Sequence, residues 1–301
     1  MANANNRLTP MLETVKGMRE ILFSQTRHID LCLQLLAKQR DGEIALAQGD
    51  PEVLRTILTM IHMVGISGHS ILKLTDEVAL SARDAFPIAR SIIEGSINVC
   101  FIMAGGHEIA ARAVRHAEVK AYRDLQRDWE VGATRITLGY SGQLLPEEVA
   151  RLNSMLAEFT TKNGREKDWT DKTLKQRLDV IAETFSGSAM VSLNVAAFNI
   201  YRHASEIVHG TYFSAAYFWG LTLPGRGVPR TSDEFRLTIL DHQFSILVSA
   251  IFAYAGLVEC FAKYTGQSEL HELASKALDR LHELPAIAET LAEPMEGSPT
   301  P

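Results

Sequence analysis

The 301 residues lack most of the signatures that announce a chemistry. Only three are cysteines, Cys32, Cys100 and Cys260, far apart and each in an apolar stretch. With no CxxC pair for zinc or redox work, they read as buried, reduced thiols. Positive charge is in deficit: 30 Lys and Arg stand against 36 Asp and Glu, a formal net charge of −6. That argues against a general basic coat for gripping long nucleic acid and leaves room for a local phosphate site. The most apolar run, residues 243–258, is bounded by His242 and Glu259 and is shorter than the roughly 18 residues of a membrane span. It reads as a core helix. Residues 1–6 are polar and no apolar signal region follows them. No Walker loop, Rossmann fingerprint or G-x-S-x-G elbow occurs. The expectation is a cytoplasmic protein with no membrane association and no cofactor.

Metal motifs are present only as fragments. Glu206-x-x-His209 matches half of a di-iron carboxylate site, and no second Glu-x-x-His occurs. His107-Glu108 and His271-Glu272 begin like a zinc-protease helix, but Ala111 and Ser275 occupy the second ligand position. His62 and His69 share a face without an obvious third ligand. No metal is expected.

What the chain has is helical periodicity. Hydrophobic residues at 46% and charged residues at 22% suit a globular core. The pattern predicts an all-α protein, one bundle of about eight or nine helices. Helices are expected over residues 9–38, from Asp50-Pro51 towards Glu77, from Pro87 to a stop at Gly105-Gly106, over 107–130 and from Pro146 to Asn163-Gly164. Further helices are expected over 171–185, from Ala189 through Phe213, from the cap at Thr231 to Tyr264, and over 268–283. Residues 131–146 and 224–230 read as loops. Residues 1–288 form a single domain in this reading, and 289–301 a disordered tail.

The segment richest in chemistry is 201–210. Tyr201, Ser205 and His209 recur every fourth residue and form a polar stripe. Arg202 and His209, seven apart, face nearly the same way about 10 Å apart along the helix axis. One phosphate could meet a permanent cation and a titratable imidazole there. Spacing alone does not separate chemistry from packing: Arg55 and His62 have the same interval, and Arg236 and His242 one residue less. The polar His203 directly after Arg202, with Tyr201, Ser205 and Gly210 around it, tips the reading narrowly towards function. Arg90 and Glu94, one turn apart, can pair. Glu94 reads as an interhelical tie, while Arg90 stays open as a phosphate contact. Arg230 and Arg226 read as solvated loop residues, and Trp129, Trp169 and Trp219 as too scattered for a base-stacking platform.

The motif Arg90-Ser91-Ile92-Ile93-Glu94 with Asn98, then Trp169, then Tyr201-x3-Ser205-x3-His209-Gly210, resembles a family of bacterial helical proteins of unknown function, over roughly residues 67–219. More distantly, an Arg, a polar residue and a His on a late helix resemble the HEPN nucleases. That resemblance implies a HEPN-like helical core, often dimeric, cutting RNA without metal. Carried over, His209 is the acid–base group, Arg202 holds the scissile phosphate and His203 fills the polar position. Tyr201, Ser205, Glu206, Arg90 and Glu94 support them. The six-residue interval is long for such motifs, and Gly210 directly after the His departs from them. The expected partners are RNA, a second copy of the chain and, for a toxin or phage-defence effector, an antitoxin. The alternative is a non-catalytic helical module that binds a protein or small ligand. A carboxylate-bridged metal enzyme ranks last.

Overall fold

The computed structural model describes residues 2–44, 46, 48–124, 127–137, 145–185, 187–222 and 227–292. Among them are ten helices and one two-stranded hairpin, with helix over 78% of the chain, which makes the class all-α. In order these are α1 (Ala2–Arg40), α2 (Pro51–Leu74), α3 (Ala82–Asp124), β1 (Asp128–Val131), β2 (Thr134–Thr137), α4 (Pro146–Glu158), α5 (Leu174–Thr184), α6 (Gly187–His209), α7 (Tyr212–Phe218), α8 (Ser232–Thr265), α9 (Ser268–His282) and α10 (Pro285–Ala292).

The capping residues act as their types dictate. The Asp50 carboxylate accepts from the amides of Glu52 and Val53 at 2.8 and 3.2 Å, with Pro51 at the first helical position of α2. Thr231 caps α8 by accepting from the Glu234 amide at 3.2 Å. Thr173 and Gln176 form a reciprocal capping box on α5.

Several sequence expectations are corrected. The described helices number ten rather than eight or nine, the first runs from Ala2 rather than Thr9, and the helix from Pro146 ends at Glu158, short of Asn163-Gly164. The helix expected over 107–130 ends at Asp124, and residues 128–137 form a hairpin pairing Asp128 with Thr137 and Val131 with Thr134. Each strand is four residues long and exposed at every position, so the alternation of Asp128-Trp129-Glu130-Val131 is too short to mark a strand. Pro87 does not start α3, which already runs from Ala82; Ala82, Ala85 and Phe86 are fully buried, and that burial holds the turn ahead of the proline. The helix from Gly187 stops at His209, so Phe213 belongs to α7. α10 carries helix to Ala292, past the start of the expected tail. Residues 293–301, 138–144 and 224–226, including Arg226, lie outside the described residues.

α8 is the axis of the bundle. Its fully buried Leu247, Ala250, Ile251, Tyr254 and Phe261 meet α1, α3, α6 and α9. Polar ties fix the register: Gln25 donates to the Ile251 carbonyl at 3.1 Å, and the Tyr254 hydroxyl to the Val64 carbonyl at 2.7 Å. By length and composition alone, α2, α3 and α8 could each cross a membrane. Their most apolar windows are 33%, 56% and 78% buried inside the protein, so α8 spends its apolar surface on the core, whereas α2 leaves Met63 and Ile66 outside.

α3 is broken at Gly106, whose φ of +69° suits a residue without a Cβ. Beyond the break, Val119 and Tyr122 of α3 pack with Leu152 and Met155 of α4 and with Phe159 in a core separate from the main one. Glu158 closes this lobe by accepting from Arg112 at 2.9 Å and Arg115 at 3.0 Å.

Candidate functional site

α6 has one buried face, formed by Ala189, Leu193, Ala196, Ile200, Ala204 and Ile207. These residues press on α8 and α3. The opposite face shows Val191, Val195, Phe198, Arg202 and His209 to solvent, and Phe198 is 93% exposed. The helix ends at Gly210, whose φ of +62° turns the chain. Thr211 caps α7 by accepting from the Ser214 amide, and its hydroxyl donates to Glu206 at 2.8 Å. Glu206 is thereby tied to the corner.

Tyr201 turns inward, away from its neighbour. Its hydroxyl donates to Glu94 of α3, the Arg90 guanidinium lies 4.7 Å over its ring, and Arg90 pairs with Glu94 at 3.1 Å. Burial, and then the neighbouring carboxylate, raise the Tyr201 pKa and keep the phenol protonated. Arg90 and Glu94 therefore clamp Tyr201 and reach neither Arg202 nor His209. One turn on, Asn98 accepts from Arg177 of α5, so Arg90, Glu94 and Asn98 form one row tying α3 to α6 and α5.

His203 is half-buried and stacked on Tyr217 of α7, ring centroids 4.0 Å apart and planes within 5°. Tyr217 lies 5.5 Å from the ring of His242 on α8, which stacks on Phe218 and contacts its carbonyl through Nε2 at 2.8 Å. Burial lowers the pKa of both imidazoles, and Arg202 adds to the effect at His203. His203 thus packs α6 onto α7, and the structure does not bring it beside His209. Ser205 is half-buried and its hydroxyl has no hydrogen-bond partner among the described residues.

Arg202 and His209 differ from all of these. Both are exposed, and among the described residues neither makes a hydrogen bond or an ion pair. Seven residues at about 100° each return to within about 20° of the starting direction, so the two project from one face about 10 Å apart. Tyr201 and His209, eight apart, diverge by about 80°.

A chain match supports grouping these parts. A model of a family of unknown function (DUF5677) matches residues 70–225, just over half of the sequence. The chain belongs to this family. No curated protein and no solved structure matches it. The DUF5677 segment holds the Arg90–Glu94–Tyr201 clamp, Asn98 and Arg177, the His203–Tyr217 stack, and both exposed residues, while α1, α8, α9 and α10 lie outside it.

Three cavities stand out among the described residues. One, 540 Å³, lies between Arg7, the 227–230 segment and Glu234 and Asp241 of α8; a second, 380 Å³, lies between α1 and Asp76 and Glu77. Both fall mainly outside the DUF5677 segment. The third, 310 Å³, lies wholly within it, between Leu80 and Arg83, Gly210 and Thr211, and Phe218 and Trp219. Arg202 and His209 line none of the three, but Gly210 is the chain neighbour of His209. Among the described residues no three His, Cys, Asp or Glu side chains converge as a metal site would require. Sequence reasoning missed Arg177 and His242 as partners, since their contacts span 79 and 24 positions. Arg83 carries no local signal, and Trp219 was visible only as one of three scattered tryptophans.

Proposed function

We propose that the protein is a metal-independent endoribonuclease with a HEPN-like helical core, acting in the cytoplasm as a homodimer, in the role of a toxin or phage-defence effector. The observation that carries the reading is the contrast on α6. Tyr201, His203 and Glu206 are engaged by neighbours, whereas Arg202 and His209 stand free on one exposed face. A buried packing pair would have satisfied partners. An open face suits a macromolecular substrate. In this reading Arg202 binds the scissile phosphate and offsets charge developing on its oxygens. His209 removes the 2′-hydroxyl proton, the 2′-oxygen bonds to phosphorus, and the bond to the 5′-oxygen breaks. The leaving 5′-oxygen takes a proton from an imidazole, from the second copy's His209 in a homodimer, so the products are a 2′,3′-cyclic phosphate and a 5′-hydroxyl. Arg90, Glu94 and Tyr201 support the site by setting the rotation of α6.

The test is cleavage of total cellular RNA in excess EDTA by wild type, His209→Ala and Arg202→Ala at equal folded concentration. Chelator-resistant cleavage that both substitutions abolish supports the reading. No cleavage by pure wild type refutes it.

The row Val191, Val195 and Phe198 favours a second reading. Exposed apolar residues at three- and four-residue spacing form a helix-packing seam, which suits docking of another chain, an antitoxin-like protein among them, without catalysis.

A further inference from the structure

The 310 Å³ cavity next to His209 has a composition unlike the other two. Glu234 and Asp241 line the first, and Glu13, Asp76 and Glu77 line the second. No carboxylate lines the third. Its walls are apolar and partly flat: the Trp219 indole, the Phe218 ring packed edge-on against it at 5.4 Å, and Leu80. Its own hydroxyls are spent, since Ser214 donates to the Thr211 carbonyl at 2.6 Å and Thr211 donates to Glu206. Two donors remain. The Trp219 indole N–H meets no acceptor among the described residues. Arg83 has only its chain neighbour Asp84, at 2.9 Å, with side chains 52% and 68% exposed. Such a pair is worth little and exchanges readily for a better anion.

Apolar walls with a flat indole, no lining carboxylate, and an arginine whose one acid, Asp84, is an exposed and exchangeable partner describe a receptor for a planar ring bearing an anion. Gly210 lines the cavity, and its Cα is about 3.8 Å along the chain from that of His209. We infer that this cavity holds one nucleotide of the substrate beside the scissile phosphate, its base against Trp219 and Leu80 and its phosphate on Arg83. The ligand's identity rests on the nuclease reading; the donor-lined, carboxylate-free cavity does not.

The test uses titration calorimetry with the four nucleoside 5′-monophosphates and with inorganic phosphate, at matched ionic strength, on the full chain. Wild type should bind at least one nucleotide more tightly than phosphate. Arg83→Ala should weaken that binding about tenfold, as expected for loss of charge-assisted hydrogen bonds. Trp219→Leu should weaken it about fivefold, as expected for loss of stacking. Thermal melts check that both variants are folded. In parallel, the variants' RNA cleavage sites are mapped in EDTA, where the altered cavity should shift sequence preference. Nucleotide binding that depends on Arg83, without RNA cleavage by wild type, sustains the cavity and removes the nuclease. RNA cleavage whose pattern and rate ignore both substitutions removes the cavity and sustains the nuclease. Absence of nucleotide binding by wild type, or phosphate binding as tightly as nucleotide, overturns the inference.

Discussion

Replacing Gly68 by alanine tests the packing of α2 on α8. Tyr254 is fully buried and its hydroxyl donates to the Val64 carbonyl at 2.7 Å. A Cβ on Gly68 would overlap that hydroxyl oxygen and stand 2.9 Å from Cζ and 3.1 Å from Cε2. Overpacking of this kind costs about 1–3 kcal/mol, and displacing the hydroxyl from its acceptor adds about 1 kcal/mol. Alanine returns about 1 kcal/mol through its better helix propensity. The net expectation is a loss of about 1–3 kcal/mol. Tyr254→Phe alone should cost about 1 kcal/mol. In that background the overlapping atom is gone and only the two ring carbons are close, so Gly68→Ala should fall to about 0–1 kcal/mol. The two substitutions should therefore couple by about 1–2 kcal/mol. Urea unfolding followed by circular dichroism gives each value, provided the slope with denaturant is unchanged. A Gly68→Ala midpoint at or above wild type, or an equal loss in both backgrounds, would refute the argument.

Tyr201→Phe should cost about 1–2 kcal/mol through the lost hydrogen bond to Glu94, and clearly less in a Glu94→Gln background, in the same urea assay. Burial lowers the pKa of His28, His116, His203 and His242 below the ordinary imidazole value of 6.5. The unfolded chain therefore binds more protons than the folded one just below that pH. Stability should be full above about pH 6.5 and fall as pH drops from there towards the folded values, a slope that His203→Gln should reduce in thermal melts. A flat melting temperature from pH 7 to 5 would contradict the burial of these rings. Phe198→Ser should leave folding stability within about 0.5 kcal/mol, because the ring is 93% exposed. If the second copy of the proposed homodimer docks on the Val191–Val195–Phe198 row, the substitution should raise the monomer fraction in sedimentation, and a wild type that is already monomeric would remove the homodimer.

The helices were legible where local chemistry announces itself. Asp50-Pro51, Gly105-Gly106 and Thr231 mark ends that the backbone obeys, because caps and positive φ depend on a few adjacent residues. Pro87 misled because a proline reads as a start, while the buried turn ahead of it is secured by tertiary contacts that no local pattern carries. The hairpin was missed because each strand has only four residues, too few for the alternation of Trp129 and Val131 to stand out beside the helical pattern that precedes it. At the site, the alignment of Arg202 with His209 followed from helical spacing alone. The reading of Tyr201, Ser205 and His209 as one stripe did not hold, since a four-residue step drifts by about 40°. Tyr201 drifted far enough to reach Arg90 and Glu94, and a partner 107 positions away in sequence leaves no local mark.

The break at Gly106 has a consequence for how the molecule comes apart. The residues beyond it, with α4, have their own small core and their own ion pairs around Glu158. None of the fully buried residues of α8 belongs to that core. Heating should then melt the lobe first, as a minor calorimetric peak below the main one, and amide protons near Val119 and Phe159 should exchange through partial openings that leave α8 protected. The clamp, the His203 stack and the nucleotide-sized cavity all lie on the bundle side of the break. A chain warmed past the first peak should therefore still carry its site.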